Sequence, residues 1–189
     1  DVTPTERYLI SFIDKLKSDT LLDKLEWERM SAGSLNRLEP DRDGYISHPL
    51  FSYETFYEEG ECDYPDEVSR VVFPSHSFDC HTYIYGDCFS LRMKNSTILH
   101  LMNISKTVHR ANDTDAYAKE IWMTKPQVGT QFLCSNRDNS PLAKMVDDLY
   151  SIVKEASKHP KIKRDLQYII DAFMQDDLSD DPSEYDLPF

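Results

Sequence analysis

The side chains with the most capacity for chemistry lie in one short stretch of the sequence, which contains His76, Cys80, His81 and Cys88. Thiolate and imidazole groups bind zinc, and a cysteine beside a histidine base can act as a nucleophile. However, adjacent residues of a strand face opposite sides, which separates Cys80 from His81. A hairpin turn expected at Gly86-Asp87 separates Cys80 from Cys88. We therefore expect thiols packed in a sheet core, no metal and no cofactor, with a small enzyme using Cys80 and His81 as an alternative.

A second candidate is the acidic turn at residues 39–46, which matches the first eight positions of an EF-hand calcium loop. The bidentate glutamate that completes such a loop at position twelve is replaced here by Leu50. Pro49 also obstructs the helix that should present it. We therefore expect a polar turn, because aspartate and glycine form tight bends without any metal.

Other catalytic signatures are absent from the sequence. It contains no glycine-rich phosphate loop, no HExxH and no GxSxG, and has only five glycines. We therefore assign no catalytic residue and favour a protein that is not an enzyme.

The most informative segment for binding is acidic and rich in aromatic residues, and no lysine or arginine interrupts it between residues 54 and 67. Aromatic anchors surrounded by charge give protein interfaces their affinity and orientation. The predicted partner-binding residues are Phe51, Tyr53, Glu54, Phe56, Tyr57, Glu58, Glu59, Glu61, Asp63, Tyr64, Asp66 and Glu67. A solvated loop held by its own aromatic side chains is the alternative reading of this segment.

The charge of the whole chain narrows the class of partner. The net charge is -13 over 189 residues, while basic residues crowd into positions 154–164. A polyanionic surface repels nucleic acid and anionic lipid and favours a basic protein. The mean hydropathy of -0.58 and the lack of any apolar run near 20 residues argue against a membrane protein.

The helices and strands that position these residues can be predicted from the spacing of apolar residues and from residues that typically begin a helix. Thr3, Pro4 and Glu6 predict a helix over residues 4–17, with further helical or irregular apolar sequence up to Met30. Apolar spacing predicts two more helices at residues 141–158 and 161–174. Alternating apolar residues predict strands at residues 51–57, 78–85, 88–94, 97–103, 120–124 and 130–134.

These elements predict an α+β fold with an antiparallel sheet of about four to six strands. The N-terminal helix and the two C-terminal helices are expected to pack on one face of it. We assign residues 1–175 to a single globular domain. Residues 176–189 form an acidic tail with too few apolar residues to pack, which predicts disorder.

Two features of the sequence leave open whether the protein is cytoplasmic or secreted. Four cysteines allow disulfides, and three glycosylation sequons begin at Asn95, Asn103 and Asn112. A secreted, disulfide-bonded, N-glycosylated protein that binds a receptor or ligand is therefore an alternative.

A resemblance favours the cytoplasm instead. The sequence resembles small bacterial and prophage-encoded proteins in four places. These are residues 25–29 (LEWER), the meander of the three strands predicted within residues 78–103, Leu149-Tyr150 and residues 169–173 (IIDAF). The resemblance implies an intracellular bacterial protein with an immunity or defence role. Combined with the charge, it predicts a non-enzymatic module that engages a basic protein partner through the acidic segment, with an oligomeric state left open.

Overall fold

The computed structural model describes residues 2–35, 37–43, 46, 48–58, 66–72, 80–108, 114–137, 141–159 and 161–176. The chain divides into two units, residues 1–157 and residues 158–189. The helices of the first unit are α1 (Pro4–Leu21), α2 (Ala32–Leu35) and α3 (Pro141–Ala156), with a 3₁₀ turn at Lys94–Ser96. Its strands are β1 (Trp27–Met30), β2 (Ser52–Glu58), β3 (Asp66–Val72), β4 (Cys80–Ile84), β5 (Cys88–Arg92), β6 (Ile98–Val108), β7 (Thr114–Lys125) and β8 (Gly129–Ser135).

Helix α1 begins where the sequence predicts. The Thr3 hydroxyl accepts a hydrogen bond from the Glu6 backbone N–H at 3.2 Å, and the Glu6 carboxylate accepts one from the Thr3 N–H at 2.7 Å. This reciprocal capping box satisfies donors that a helix start otherwise leaves unpaired. The helix continues to Leu21, beyond the predicted end at residue 17.

The main sheet is antiparallel and is built around β6 and β7. Its order is β1-β5-β6-β7-β8, and β4 pairs with β6 on the same side as β5. Strand β5 pairs with residues 98–101 of β6, and β4 pairs with residues 104–108. Strands β4 and β5 therefore lie end to end along β6, and the hairpin predicted between them at Gly86-Asp87 is wrong.

The reason for this difference is the contact between Gly86 and Asn103. The backbone N–H groups of Tyr85 and Gly86 both donate to the Asn103 carbonyl, at 2.9 and 3.3 Å. A Cβ at Gly86 would lie 2.5 Å from Asn103 Nδ2. The glycine therefore allows a close approach at an irregular point in the edge, and it does not reverse the chain.

Asn95 and Ser96 form the turn between the strands predicted at residues 88–94 and 97–103, as those predicted bounds require. Both residues have positive φ, 59° and 56°, and the Met93 N–H donates to the Thr97 carbonyl at 2.7 Å. Asparagine tolerates this left-handed conformation better than most residues, which suits it to the tight reversal between β5 and β6.

A buried cluster lies on each face of the sheet. On one face, Leu99, Leu101 and Ile121 pack with Ile13 of α1 and Leu149 of α3 in a single buried cluster. On the opposite face, residues of the segment 32–51 cover a second buried cluster. That cluster includes Leu35, Leu50, Phe51, Ile84, Met102, Ile104 and Trp122. The predicted α+β class is thus confirmed, with α1 and α3 on one face.

Strand β1 corrects the reading of residues 22–30 as further helical or irregular sequence. Residues Trp27–Met30 pair with Cys88–Leu91 of β5. The Trp27 indole N–H also donates to the Thr20 hydroxyl at 3.0 Å, which ties the strand to the end of α1. The partner strand lies far along the sequence, so local periodicity does not reveal this pairing.

The second unit contains α4 (Arg164–Asp176), which matches the helix predicted at residues 161–174. The predicted acidic tail lies outside the described residues from position 177 onward. The assignment of residues 1–175 to a single domain stays a prediction.

Candidate functional site

The predicted partner-binding segment forms a hairpin of its own. Strands β2 and β3 make a two-stranded antiparallel sheet that is separate from the main sheet. Glu54 is the register partner of Arg70 near the base, whereas Tyr57 is paired with Glu67 and Glu58 with Asp66 near the tip. Like charges at directly opposite positions destabilise a strand pair. The hairpin thus carries an opposite-charge pair near its base and two acids opposed at its tip.

The predicted residues are distributed over the hairpin as follows. Tyr53, Glu54, Phe56, Tyr57 and Glu58 fall on β2, while Asp66 and Glu67 fall on β3. Glu59, Glu61, Asp63 and Tyr64 lie outside the described residues. Their role as a partner surface stays a prediction.

The root of the hairpin is fixed to the main sheet. Leu50 is 2 % exposed and Phe51 is 8 % exposed, and both belong to the second core cluster. The Thr130 hydroxyl donates to the Pro49 carbonyl at 3.3 Å. Phe51, one of the predicted partner-binding residues, is therefore used inside the protein, where it anchors the start of β2.

A pair of histidines lies under this root. The rings of His48 and His100 are 6.0 Å apart, and the His48 ring is 4.7 Å from the Phe51 ring. His100 Nε2 hydrogen-bonds Thr124 Oγ1 at 3.0 Å, and Thr124 Oγ1 in turn lies 2.9 Å from Thr130 Oγ1. The His100 imidazole is thus linked through Thr124 to the hydroxyl that holds Pro49.

Both imidazoles are neutral at physiological pH. Burial lowers the pKa of His48 to about 4. Burial, followed by the neighbouring His48, lowers the pKa of His100 to about 4. His48 Nδ1 accepts a hydrogen bond from the Leu50 N–H at 3.2 Å, which requires that nitrogen to be unprotonated. The space beside the rings measures about 10 Å³, too small for a substrate, so the pair packs the fold.

The cysteine-histidine stretch provides no catalytic site among the described side chains. Burial raises the pKa of Cys88 to about 12, so its thiol is not a nucleophile at neutral pH. Cys88 is a buried thiol in the second core cluster, as predicted, and Cys134 is a buried thiol in the first. His76 and the side chains of Cys80 and His81 lie outside the described part of the structure.

The acidic turn behaves as a polar bend. The Asp41 carboxylate accepts a hydrogen bond from the Asp43 N–H at 3.0 Å, which closes the turn with its own side chain. Among the described residues, no group of three or more histidine, cysteine or acidic side chains could hold a metal ion.

One buried polar network was not anticipated from the sequence. The Tyr150 hydroxyl donates to the Asp87 carbonyl at 2.7 Å and accepts from Asn103 Nδ2 at 3.1 Å. The Asp87 carboxylate pairs with Arg29 at 2.9 Å. Burial raises the pKa of Tyr150. The network joins α3, β6 and the irregular edge between β4 and β5, so it fixes the structure at this point.

This network also bears on the sequons. The Asn103 amide is hydrogen-bonded to Tyr150 and half-buried, so a glycan on it is incompatible with this arrangement. Asn95 is exposed at the β5–β6 turn. Asn112 lies outside the described residues.

Sequence reasoning missed the histidine pair because His48 lies in a segment without periodicity. The burial of His100 could have been predicted, because it lies between apolar residues of a predicted strand and faces the same side as Met102. Its partner could not be identified without the fold.

In comparisons with known proteins, no family model, no curated protein and no solved structure matches this chain. The resemblance to small bacterial and prophage-encoded proteins stays a prediction. No helix within the described ranges is long and apolar enough to cross a membrane.

Proposed function

We propose that this protein is a non-enzymatic binding module whose acidic β2–β3 hairpin engages a basic protein partner. In this role it acts as an inhibitor or immunity protein does against a basic toxin or nuclease. We also place it in the cytoplasm and expect it not to bind nucleic acid directly. The observation that carries the proposal is the register at the tip, which puts Glu58 opposite Asp66.

Electrostatics provide the reasoning. Like charges at directly opposite strand positions destabilise a strand pair, and a basic partner that neutralises them removes that penalty on binding. Residues 59–65 add three further acids between the strands and no basic residue. Leu50 and Phe51 are already buried at the start of β2. The hairpin is therefore fixed at this end before a partner binds, which lowers the conformational entropy lost on binding.

The alternatives receive less support from the described residues. Cys88 does not support an enzyme built on this cysteine-histidine stretch, because its thiol is protonated and buried. The sequon at Asn103 does not support a secreted glycoprotein, because the Asn103 amide is hydrogen-bonded to Tyr150 inside the fold.

The test compares two variants with matched changes in charge. The tip variant carries Glu58→Gln, Glu61→Gln, Asp63→Asn and Asp66→Asn. The control variant carries Asp14→Asn, Glu26→Gln, Asp165→Asn and Asp171→Asn, four exposed acids outside the hairpin. A partner is captured from the native host with the wild-type protein, and its association rate is then measured with each variant.

We expect the association rate of the wild-type protein to fall roughly tenfold or more as salt is raised from low to high concentration. The tip variant should associate slowly at every salt concentration, while the control should behave as the wild type. Equal rates for the two variants, or a rate indifferent to salt, would contradict the proposal.

A further inference from the structure

A cleft on the helical side of the first unit has no role in the proposed function. It opens between α1 and the end of the β5–β6 hairpin and has a volume of about 540 Å³. This volume lies in the range of small-molecule sites. Its lining combines an apolar floor with charged residues at the mouth.

The floor is almost entirely hydrocarbon and thioether. It consists of Phe12, Leu16, Leu25, Leu91, Met93 and Met123, and among the described residues of the lining the Thr97 hydroxyl is the one neutral polar side chain. A ligand body that enters must therefore bring few polar groups, since they would lose their water without replacement. The two methionines can adapt to the shape of a flexible chain.

The mouth of the cleft is cationic, although the protein as a whole has a net negative charge. Of the four charged residues that line it in the described part of the chain, three are basic, namely Lys15, Arg92 and Lys94, although the chain has 21 basic and 34 acidic residues. The fourth, Asp19, is already bonded to Lys15 at 2.8 Å. That hydrogen bond is the main reason that the pKa of Asp19 is lowered.

Lys94 is the cation best placed to receive a ligand. It is exposed on the β5–β6 turn, and it has no ion-pair partner within the part of the chain that the structure describes. Arg92 by contrast lies 3.6 Å from Glu28. The cleft thus offers an apolar interior and one uncommitted ammonium group beside its entrance.

We propose that this cleft binds a free, monomeric long-chain carboxylate, with its aliphatic chain on the apolar floor and its carboxylate near Lys94. The apolar lining accounts for the chain, and the charge complementarity at the mouth accounts for the anionic head. The site is independent of the acidic hairpin.

The test is calorimetric titration of the full chain with decanoate, dodecanoate and tetradecanoate, each below its critical micelle concentration. Each additional buried methylene should raise affinity up to about fourfold until the chain outgrows the cleft. Dodecanol, which has the same chain without the charge, should bind more weakly than dodecanoate.

Two variants and a control separate the head from the chain. Lys94→Glu should weaken dodecanoate binding roughly threefold to tenfold and leave dodecanol unchanged. Met93→Glu should weaken both ligands, because it puts a carboxylate on the apolar floor. Lys144→Glu, at an exposed position of α3 outside the cleft, should weaken neither. Thermal unfolding of each variant shows whether it is folded, and Lys94 is exposed, so its replacement leaves the core intact.

Several outcomes would overturn the proposal. These are the absence of saturable binding, an affinity independent of chain length, equal binding of dodecanol and dodecanoate, or no effect of Lys94→Glu. Sedimentation with vesicles of equimolar phosphatidylglycerol and phosphatidylcholine tests a membrane surface instead. Binding to these vesicles without binding to monomeric dodecanoate would also overturn it.

Discussion

Acidification should destabilise this protein through His100, and the sign follows from the direction of its pKa shift. The ordinary pKa of 6.5 applies in the unfolded chain, whereas the folded protein lowers it to about 4. The unfolded state therefore binds a proton first as pH falls. Stability from this group is complete above pH 6.5 and is lost as pH falls from 6.5 towards 4.

The magnitude can be worked out from these two pKa values. Between pH 7 and pH 5 the unfolded chain gains nearly one proton at this position and the folded chain gains almost none. The free energy of unfolding should fall by about 2 kcal/mol from His100 alone. His100 is 2 % exposed, so solvent screens this effect little. His48 acts in the same direction but is only half-buried, so its contribution is smaller.

The assay is urea unfolding followed by circular dichroism at pH 7 and pH 5 at constant ionic strength. His100→Gln removes the titration and keeps an amide that can reach the Thr124 hydroxyl. The loss of stability on acidification should be about 2 kcal/mol smaller in this variant than in the wild type. The difference between the proteins cancels the titration of the many carboxylates.

If His100→Gln and the wild type lost equal stability between pH 7 and pH 5, the reasoning from burial would be refuted. If His100→Gln does not fold, His48→Gln supplies the same comparison with a smaller expected difference.

The remaining predictions concern the irregular sheet edge and the buried thiols. Gly86→Ala should lower the free energy of unfolding by about 1–3 kcal/mol, because its Cβ would lie 2.5 Å from Asn103 Nδ2. Gly33→Ala, whose nearest neighbour is a flexible arginine at 3.4 Å, should be neutral or stabilising in the same urea titration. Tyr150→Phe should cost about 1–2 kcal/mol by unpairing the Asp87 carbonyl and the Asn103 amide, and an unchanged midpoint would contradict this. Cys88 should resist iodoacetamide at pH 8 until urea unfolds the chain, and rapid labelling of the native protein would contradict its burial.

The parts of the fold that the sequence predicted correctly are those determined by neighbouring residues. The start of α1 depends on Thr3 and Glu6, three positions apart, so the signal is complete within one helical turn. The turn at Asn95-Ser96 is equally local. The α+β class followed from the order of such elements.

The parts that failed depend on contacts between distant residues. The sequence around Gly86 reads as a hairpin turn, but its conformation is set by Asn103 on β6, which holds both adjacent N–H groups. The sequence around Trp27 predicts an apolar helical stretch, but Trp27 pairs with Leu91 of β5 and belongs to the sheet. The cleft could not be predicted for the same reason, because its lining comes from α1, β7 and the β5–β6 turn.

Both proposed surfaces adjoin the layers that pack on the main sheet. Among the described residues, α1 and α3 pack on one face of that sheet, and the segment that contains Leu35 and Leu50 packs on the other. Strand β2 begins directly after Phe51, at the end of that segment, and the cleft opens where α1 passes the β5–β6 turn. Because one surface is anionic and the other has a cationic mouth, salt should weaken both interactions, whereas Lys94→Glu should weaken only the second.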